Sequence, residues 1–280
     1  MILKLSEDYD NQLTNYLNQE ENFNLIIGRD IKRYGYDNCF FNIWANFDIV
    51  GNIKGLLIQY FDILTLYSYD NDDVVSFVNY INKLPYRVIN GKIDTLKYIE
   101  PYISYDKKRV VNFCALKNLK FLNDYEIDSN VKKIRFGKIN KILELYENID
   151  EFENTTIKSI KSNLKSGRGY YIEENKKVVS MAKSTSENST HAMVVGVGTH
   201  PMYRNKGYAT KCVIKLCNSL LNDKKTPCLF YDNEEAGKIY KKIGFKELGQ
   251  WVNYYKWIYL KEWIILEFTP FLIPRKILWI

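Results

Sequence analysis

Residues 194–210, VVGVGTHPMYRNKGYAT, carry an apolar strand into a turn at Pro201 and out again into a helix, with Arg204, Gly207 and Ala209 at R-x-x-G-x-A spacing. The first turn of a helix leaves backbone N–H groups without intrahelical partners, and the positive end of the macrodipole lies there, so such a junction suits an anion. Gly207 and the small Ala209 keep side-chain bulk away from it. Arg204 and Lys206 add charge-assisted contacts worth about 1.5–3 kcal/mol each when desolvated. Donors that converge on one point fit a pyrophosphate better than an extended nucleic-acid backbone.

The elements around this junction follow from periodicity and turn residues. Upstream, 132–137 reads as a strand, 139–152 and 155–166 as amphipathic helices, and 169–174 with 177–185 as a hairpin across Asn175-Lys176. The run 191–199 reads as a buried strand and 204–221 as a helix. Downstream, 226–231 is a strand, 234–243 a helix, and FKELGQWVNYYKWIYL (245–260) a closing pair of strands. The predicted order is β-α-α-β-β-β-α-β-α-β-β.

The segment LFYDNEEAGKIYKKIGF (229–245) sets Asn233, Ala236, Tyr240 and Gly244-Phe245 at fixed spacing after a strand. Together with the Arg204–Ala209 junction it resembles the acetyl-coenzyme A site of the GNAT superfamily of N-acetyltransferases, over roughly residues 131–256. The resemblance implies an α/β (α+β) fold, a mixed and mostly antiparallel sheet with helices on both faces. It implies that the backbone of Gly196, Val197, Gly198 and Thr199 pairs with the pantetheine arm of acetyl-CoA, the co-substrate, while Arg204 and the amides of Asn205, Lys206, Gly207, Tyr208, Ala209 and Thr210 take the pyrophosphate. Asn233 is expected at the pantetheine or thioester. The implied reaction is direct transfer of acetyl to an amine, with the Val197 amide holding the oxyanion and Tyr240 returning a proton to the thiolate, and it needs no metal.

One departure from the family concerns the base. Some members carry a Glu eleven residues before the position of Arg204, and here that position is Met193. His191, two residues earlier, and Glu173, on a neighbouring predicted strand, are the alternatives, acting through water. His191 also reads as a hydrogen-bonded strand-end histidine, and Tyr240 as a packing tyrosine.

The rest of the chain bounds these readings. Residues 1–130 hold 14 Lys and Arg against 18 Asp and Glu, whereas residues 131–280 hold 26 against 15, so the basic half is where an anion should bind. Residues 1–128 form a second, smaller α/β module, expected to be acceptor-side or a degenerate copy of the same fold, and 129–280 the acetyltransferase domain, divided near the polar run DYEIDSN (124–130). In the first module 73–84 reads as a helix, 55–69 and 108–117 as strands, and YRVING (86–91) as a strand closed by an Asn90-Gly91 turn. Five cysteines without a C-x-x-C pair indicate neither a disulfide framework nor a zinc site, and with no signal-like start they point to the cytoplasm. Charges and prolines in 257–280 argue against a membrane span. The expected acceptor is a small-molecule amine or a peptide, with a homodimer left open. Two rival readings are a non-catalytic CoA-binding or sensory protein and an aminoacyl-tRNA-dependent transferase. The convergent cradle argues against nucleic acid.

Overall fold

The structure is a computed structural model and describes residues 1–118, 130–152 and 155–257. In chain order the first elements are β1 (Ile2–Lys4), α1 (Asp10–Leu17), α2 (Glu21–Tyr34), β2 (Phe41–Phe47), β3 (Ile53–Tyr60), β4 (Ile63–Tyr67), α3 (Val78–Ile81), β5 (Val88–Lys92), α4 (Ile93–Leu96) and β6 (Lys107–Ala115). They are followed by β7 (Lys132–Lys133), α5 (Ile139–Glu147), α6 (Ile157–Lys165), β8 (Gly169–Glu174), β9 (Lys177–Thr185), β10 (His191–Thr199), α7 (Tyr208–Asn222), β11 (Thr226–Tyr231), α8 (Glu234–Ile243) and β12 (Lys246–Tyr255).

The chain divides into two compact units, one holding Met1–Asn112 with the segment from Gly249, the other Phe113–Leu248. The expected boundary at 128/129 lies outside the described residues. Each unit runs strand, helix, helix, three strands, helix, strand, helix, so the first repeats the element order of the second. In the first unit β1 to β4 pair antiparallel in sequence, β4 and β5 pair parallel, and β5 pairs antiparallel with β12. Leu13, Tyr16, Leu17, Ile27 and Ile31 of α1 and α2 pack on one face of this sheet; Val74, Phe77, Ile81 and Leu96 pack on the other.

In the second unit the order is β7-β8-β9-β10-β11, antiparallel except for β10 with β11. Ile139, Ile142, Leu145, Tyr146 and Ile160 of α5 and α6 bury against Tyr171, Val178 and Met181. On the opposite face, Cys212, Val213, Leu216, Cys217 and Leu220 repeat at helical spacing along α7 and pack on Val179, Ala182 and Val194. A mostly antiparallel sheet with helices on both faces is therefore the fold of the second unit, and the hairpin turn falls at Asn175-Lys176, both with positive φ (48° and 64°).

Several expected elements are corrected. The stretch 55–69 is two strands, turned at Phe61-Asp62 with Phe61 at φ 52° and Arg87 bonded to Asp62. Asn90-Gly91 is not a turn but the middle of β5, paired with Thr65 and Leu66 on one side and with Asn253 and Val252 on the other. Gly91 is required there because a Cβ would overlap the Leu66 carbonyl and the Leu96 side chain. The strand expected at 132–137 pairs only at Lys132 and Lys133 before a 3₁₀ turn, and the helix expected from Arg204 begins at Tyr208. The closing strands are a single strand, Lys246–Tyr255, over the described residues, and 258–260 lie outside them together with the apolar tail. The helices α1 and α2 had no counterpart in the sequence reading.

Candidate active site

The second unit opens its sheet at one place. β10 and β11 are parallel partners only at His191–Met193 and Thr226–Cys228, after which the ladder between them stops although β10 continues to Thr199 and β11 to Tyr231. The cause is a bulge in β10 between Val195 and Gly198, centred on Gly196 at φ 61°. The buried Tyr146 hydroxyl of α5 donates to the Gly196 carbonyl at 3.0 Å, and a Cβ on Gly196 would overlap that hydroxyl. A Cβ on Gly198 would stand 2.9 Å from both Ile149 and Phe152. Both glycines are thus steric requirements, and among the described residues no strand pairs with the β11-facing edge of β10 beyond Met193. The first unit differs here, since β4 and β5 stay zipped from Ile63 to Leu66, nearly the full length of β4.

Beyond Thr199 the chain makes the cradle. His200 bonds back to Val179 and its Nδ1 accepts the Met202 amide at 3.2 Å, setting a 3₁₀ turn at Pro201–Tyr203. Arg204 is extended (φ −66°, ψ 164°), Asn205 is left-handed (φ 62°), and Gly207, the residue that caps α7, is left-handed again (φ 73°). This alternation turns successive N–H groups into one concavity, the backbone form that binds anions. Nothing lies within 4 Å of a Cβ built on Gly207, so glycine is needed for its φ and not for space. Arg204 Nε reaches the Thr199 carbonyl at 3.4 Å, Lys206 Nζ stands 5.0 Å from the Tyr203 ring, and the Tyr208 hydroxyl donates to Glu174. In the first unit the loop that joins the fourth strand to its helix carries Asp70, Asp72 and Asp73 instead, with Lys54 bound to the first two, a charge pattern that repels phosphate.

On the β11 side, Asn233 caps α8, its Oδ1 accepting the amides of Glu235 at 2.9 Å and Ala236 at 3.2 Å, which leaves its amide NH₂ as the group to offer a ligand. Tyr240 follows two turns into α8. It is 4% exposed, rings at Tyr231 and Phe245 lie 5.9 and 5.8 Å from it, and burial holds its phenol well above its ordinary pKa, hence protonated. Among the described residues its hydroxyl has no hydrogen-bond partner, so it keeps a proton to give.

A family model described as GNAT acetyltransferase matches residues 86–254, more than half of the sequence. The chain belongs to the GNAT acetyltransferase family. The match reaches upstream of the resemblance read from the motifs, into the first unit at Tyr86. No curated protein matches. Among solved structures, a GCN5-related N-acetyltransferase from Sphaerobacter thermophilus is similar at TM-score 0.64 and 12% identity, covering 91% of this chain and 95% of that one. A tandem GNAT protein from the clavulanic acid biosynthesis pathway is similar at TM-score 0.59 and 11% identity, with 91% and 97% covered. A GCN5-related N-acetyltransferase-like protein from Streptococcus suis gives TM-score 0.50 at 17% identity, with 84% and 99% covered. These likenesses establish the fold across most of the chain, and the tandem relative accords with the repeated element order.

Within this GNAT unit the two expected bases stand apart from the opening. His191 begins β10 at the joined end, paired with Thr226, its amide donating to Asn188 and its Nδ1 2.9 Å from the Thr190 hydroxyl. Five residues at about 3.3 Å each separate it from Gly196. Glu173 receives Lys138 at 2.9 Å and Lys141 at 2.8 Å, and these two ammonium groups push its carboxyl down to about 2, too weak a base to take a proton from an amine. Met193 is buried at the last paired residue of the β10–β11 ladder.

A residue the sequence reading passed over does lie at the opening. Lys183 of β9, opposite Val195, is 4% exposed, and its Cε and Nζ lie 2.8 and 3.4 Å from where a Cβ on Gly196 would be. Its Nζ is 5.5 Å from the centre of the Tyr146 ring, and burial pushes its ammonium down to about 8. The available signal was a lysine well inside the strand KVVSMAKST, between Ala182 and Ser184. Among the described residues no group of three or more His, Cys, Asp and Glu is placed to hold a metal, and no helix is long and apolar enough to cross a membrane.

Proposed function

We propose that the protein transfers the acetyl group of acetyl-CoA directly to the nitrogen of a primary amine, on a small molecule or a peptide. The observation that carries this reading is the continuous path from the open edge of β10 at Gly196–Thr199 into the cradle of Arg204–Thr210. A diphosphate meets the amides of Asn205–Thr210 and the charges of Arg204 and Lys206, while an extended pantetheine arm pairs with the vacant β10 edge as an added strand would. Gly207 presents open space and left-handed Asn205 completes the concavity, both of which support this reading.

Bound there, acetyl-CoA supplies an acyl group already activated as a thioester. The chain's own residues do the rest. Val197 lies in the bulge, outside the β9 register, and its amide is the donor assigned to the oxyanion, a contact worth roughly 3–4 kcal/mol of barrier. The Asn233 NH₂ holds the pantetheine amide, and the Tyr240 phenol, kept neutral by burial, donates the proton that completes the leaving thiol. Glu173 and His191 take no part as bases, for the reasons of charge and position given above. Five cysteines, none of them in a disulfide and four of them buried, suit a reducing cytoplasm.

The test is release of free thiol from acetyl-CoA across amino acids, polyamines, aminoglycosides and peptides. Amine-dependent release that is lost when Arg204 and Lys206 are both replaced by Glu supports the reading. Tight cofactor binding with no amine ever releasing thiol would favour the non-catalytic rival.

A further inference from the structure

A buried ammonium ordinarily has a carboxylate beside it, because an unpaired charge away from water is costly. Lys183 has none. The elements packed around it present Val195 and Gly196 from β10, Gly169 from β8 and Tyr146 from α5. Tyr146 is the one titratable group among these, and burial keeps it protonated. Among the described residues Lys183 makes neither an ion pair nor a side-chain hydrogen bond, and its ammonium stands 5.5 Å from the centre of the Tyr146 ring. Its nitrogen is therefore held within reach of the β10 bulge with nothing to occupy its lone pair once the proton leaves.

We propose that Lys183 is a self-acetylation site, its Nζ accepting the acetyl group from acetyl-CoA seated along β10 when no amine substrate is present. The inference rests on the cofactor position proposed above. The neutral amine attacks the thioester carbonyl carbon, so that an N–C bond forms and the C–S bond breaks. The bonding pair leaves with sulfur, and the proton lost by nitrogen ends on it, giving CoA thiol and an amide with no other reactant. Burial favours this chemistry twice. At pH 7 about one Lys183 in ten is neutral against about one in 3,000 for an ordinary lysine. The product also replaces an unpaired charge by an uncharged amide in the same largely buried site.

The experiment incubates the full chain with acetyl-CoA in the absence of any amine, and reads intact mass and peptide maps, with acetyl-CoA binding measured in parallel by calorimetry. The expected result is a single acetyl adduct at Lys183, absent with CoA lacking the acetyl group and absent in Lys183→Arg. It falls at least tenfold in Arg204→Glu/Lys206→Glu. The rate rises about 25-fold from pH 6.5 to 8.5 and then levels, whereas solvent lysines keep rising towards pH 10. Without acetyl-CoA, the Lys183 ¹³Cε resonance, assigned by its loss in Lys183→Arg, titrates near pH 8. Calorimetric binding with Lys183 unmodified overturns this proposal alone, and absence of binding overturns the cofactor reading with it. An adduct spread over surface lysines, or undiminished in the cradle variant, is solution chemistry and overturns the proposal too.

Discussion

Replacing Lys183 by methionine keeps the length of the side chain and removes its charge, so the stability of the variant measures what burying that ammonium costs. Folding lowers the group from 10.5 to about 8, which at about 1.4 kcal/mol per unit is roughly 3 kcal/mol. The sign follows from proton binding. Below pH 8 the lysine is protonated both folded and unfolded and the whole penalty is present. Between pH 8 and 10.5 the unfolded chain holds more protons than the folded one, so wild-type stability rises with pH. Lys183→Met is therefore expected to gain about 3 kcal/mol at pH 7, about 2 at pH 9 and less than about 1 at pH 10, beyond any constant difference in packing. Urea unfolding of both proteins at these three values reads the change. A difference that stays constant with pH would refute the reasoning, because the lysine would then be solvated or paired.

Three further perturbations follow from the site. Gly196→Ala meets both a left-handed φ and the Tyr146 hydroxyl, and is expected to lose about 2–3 kcal/mol; Gly196→Ala/Tyr146→Phe should fall short of the summed single losses by about 1 kcal/mol in a urea cycle, whereas additivity would remove the hydroxyl from the argument. Gly207→Ala is expected to cost about 1–2 kcal/mol in thermal unfolding and to weaken acetyl-CoA binding, while Gly207→Asn, which tolerates that φ, recovers most of both; equal losses would mean that space, not φ, matters. Tyr240→Phe is expected to leave the acetyl-CoA Kd unchanged and slow transfer by about 10²–10⁴, and an undiminished rate would assign the tyrosine to packing.

What was legible in the sequence was local. The cradle depends on residues within a few positions of one another, Pro201 to Thr210, and on a glycine at a left-handed φ that most side chains resist, so spacing alone reports it. The Asn175-Lys176 turn was legible for the same reason. What failed depended on partners distant in sequence. Asn90-Gly91 has the composition of a turn, yet strands on both sides hold it extended, one of them more than 150 residues away at Asn253. Glu173 read as a free carboxylate, but Lys138 and Lys141 arrive from the α5 region. Lys183 drew no notice in the sequence because its burial depends on Tyr146 of α5 and on β8 and β10 packing around it, and the charge inversion between Asp70–Asp73 and Arg204–Lys206 acquires meaning once the two units are seen to repeat one element order.

Titration calorimetry of acetyl-CoA into the wild-type chain and into Arg204→Glu/Lys206→Glu bears most directly on the cradle. Saturable one-site binding to the wild type, weakened at least tenfold in the variant while its unfolding midpoint is kept, is the predicted result. A wild type that gives no heat of binding, or a variant that binds as well, would contradict it.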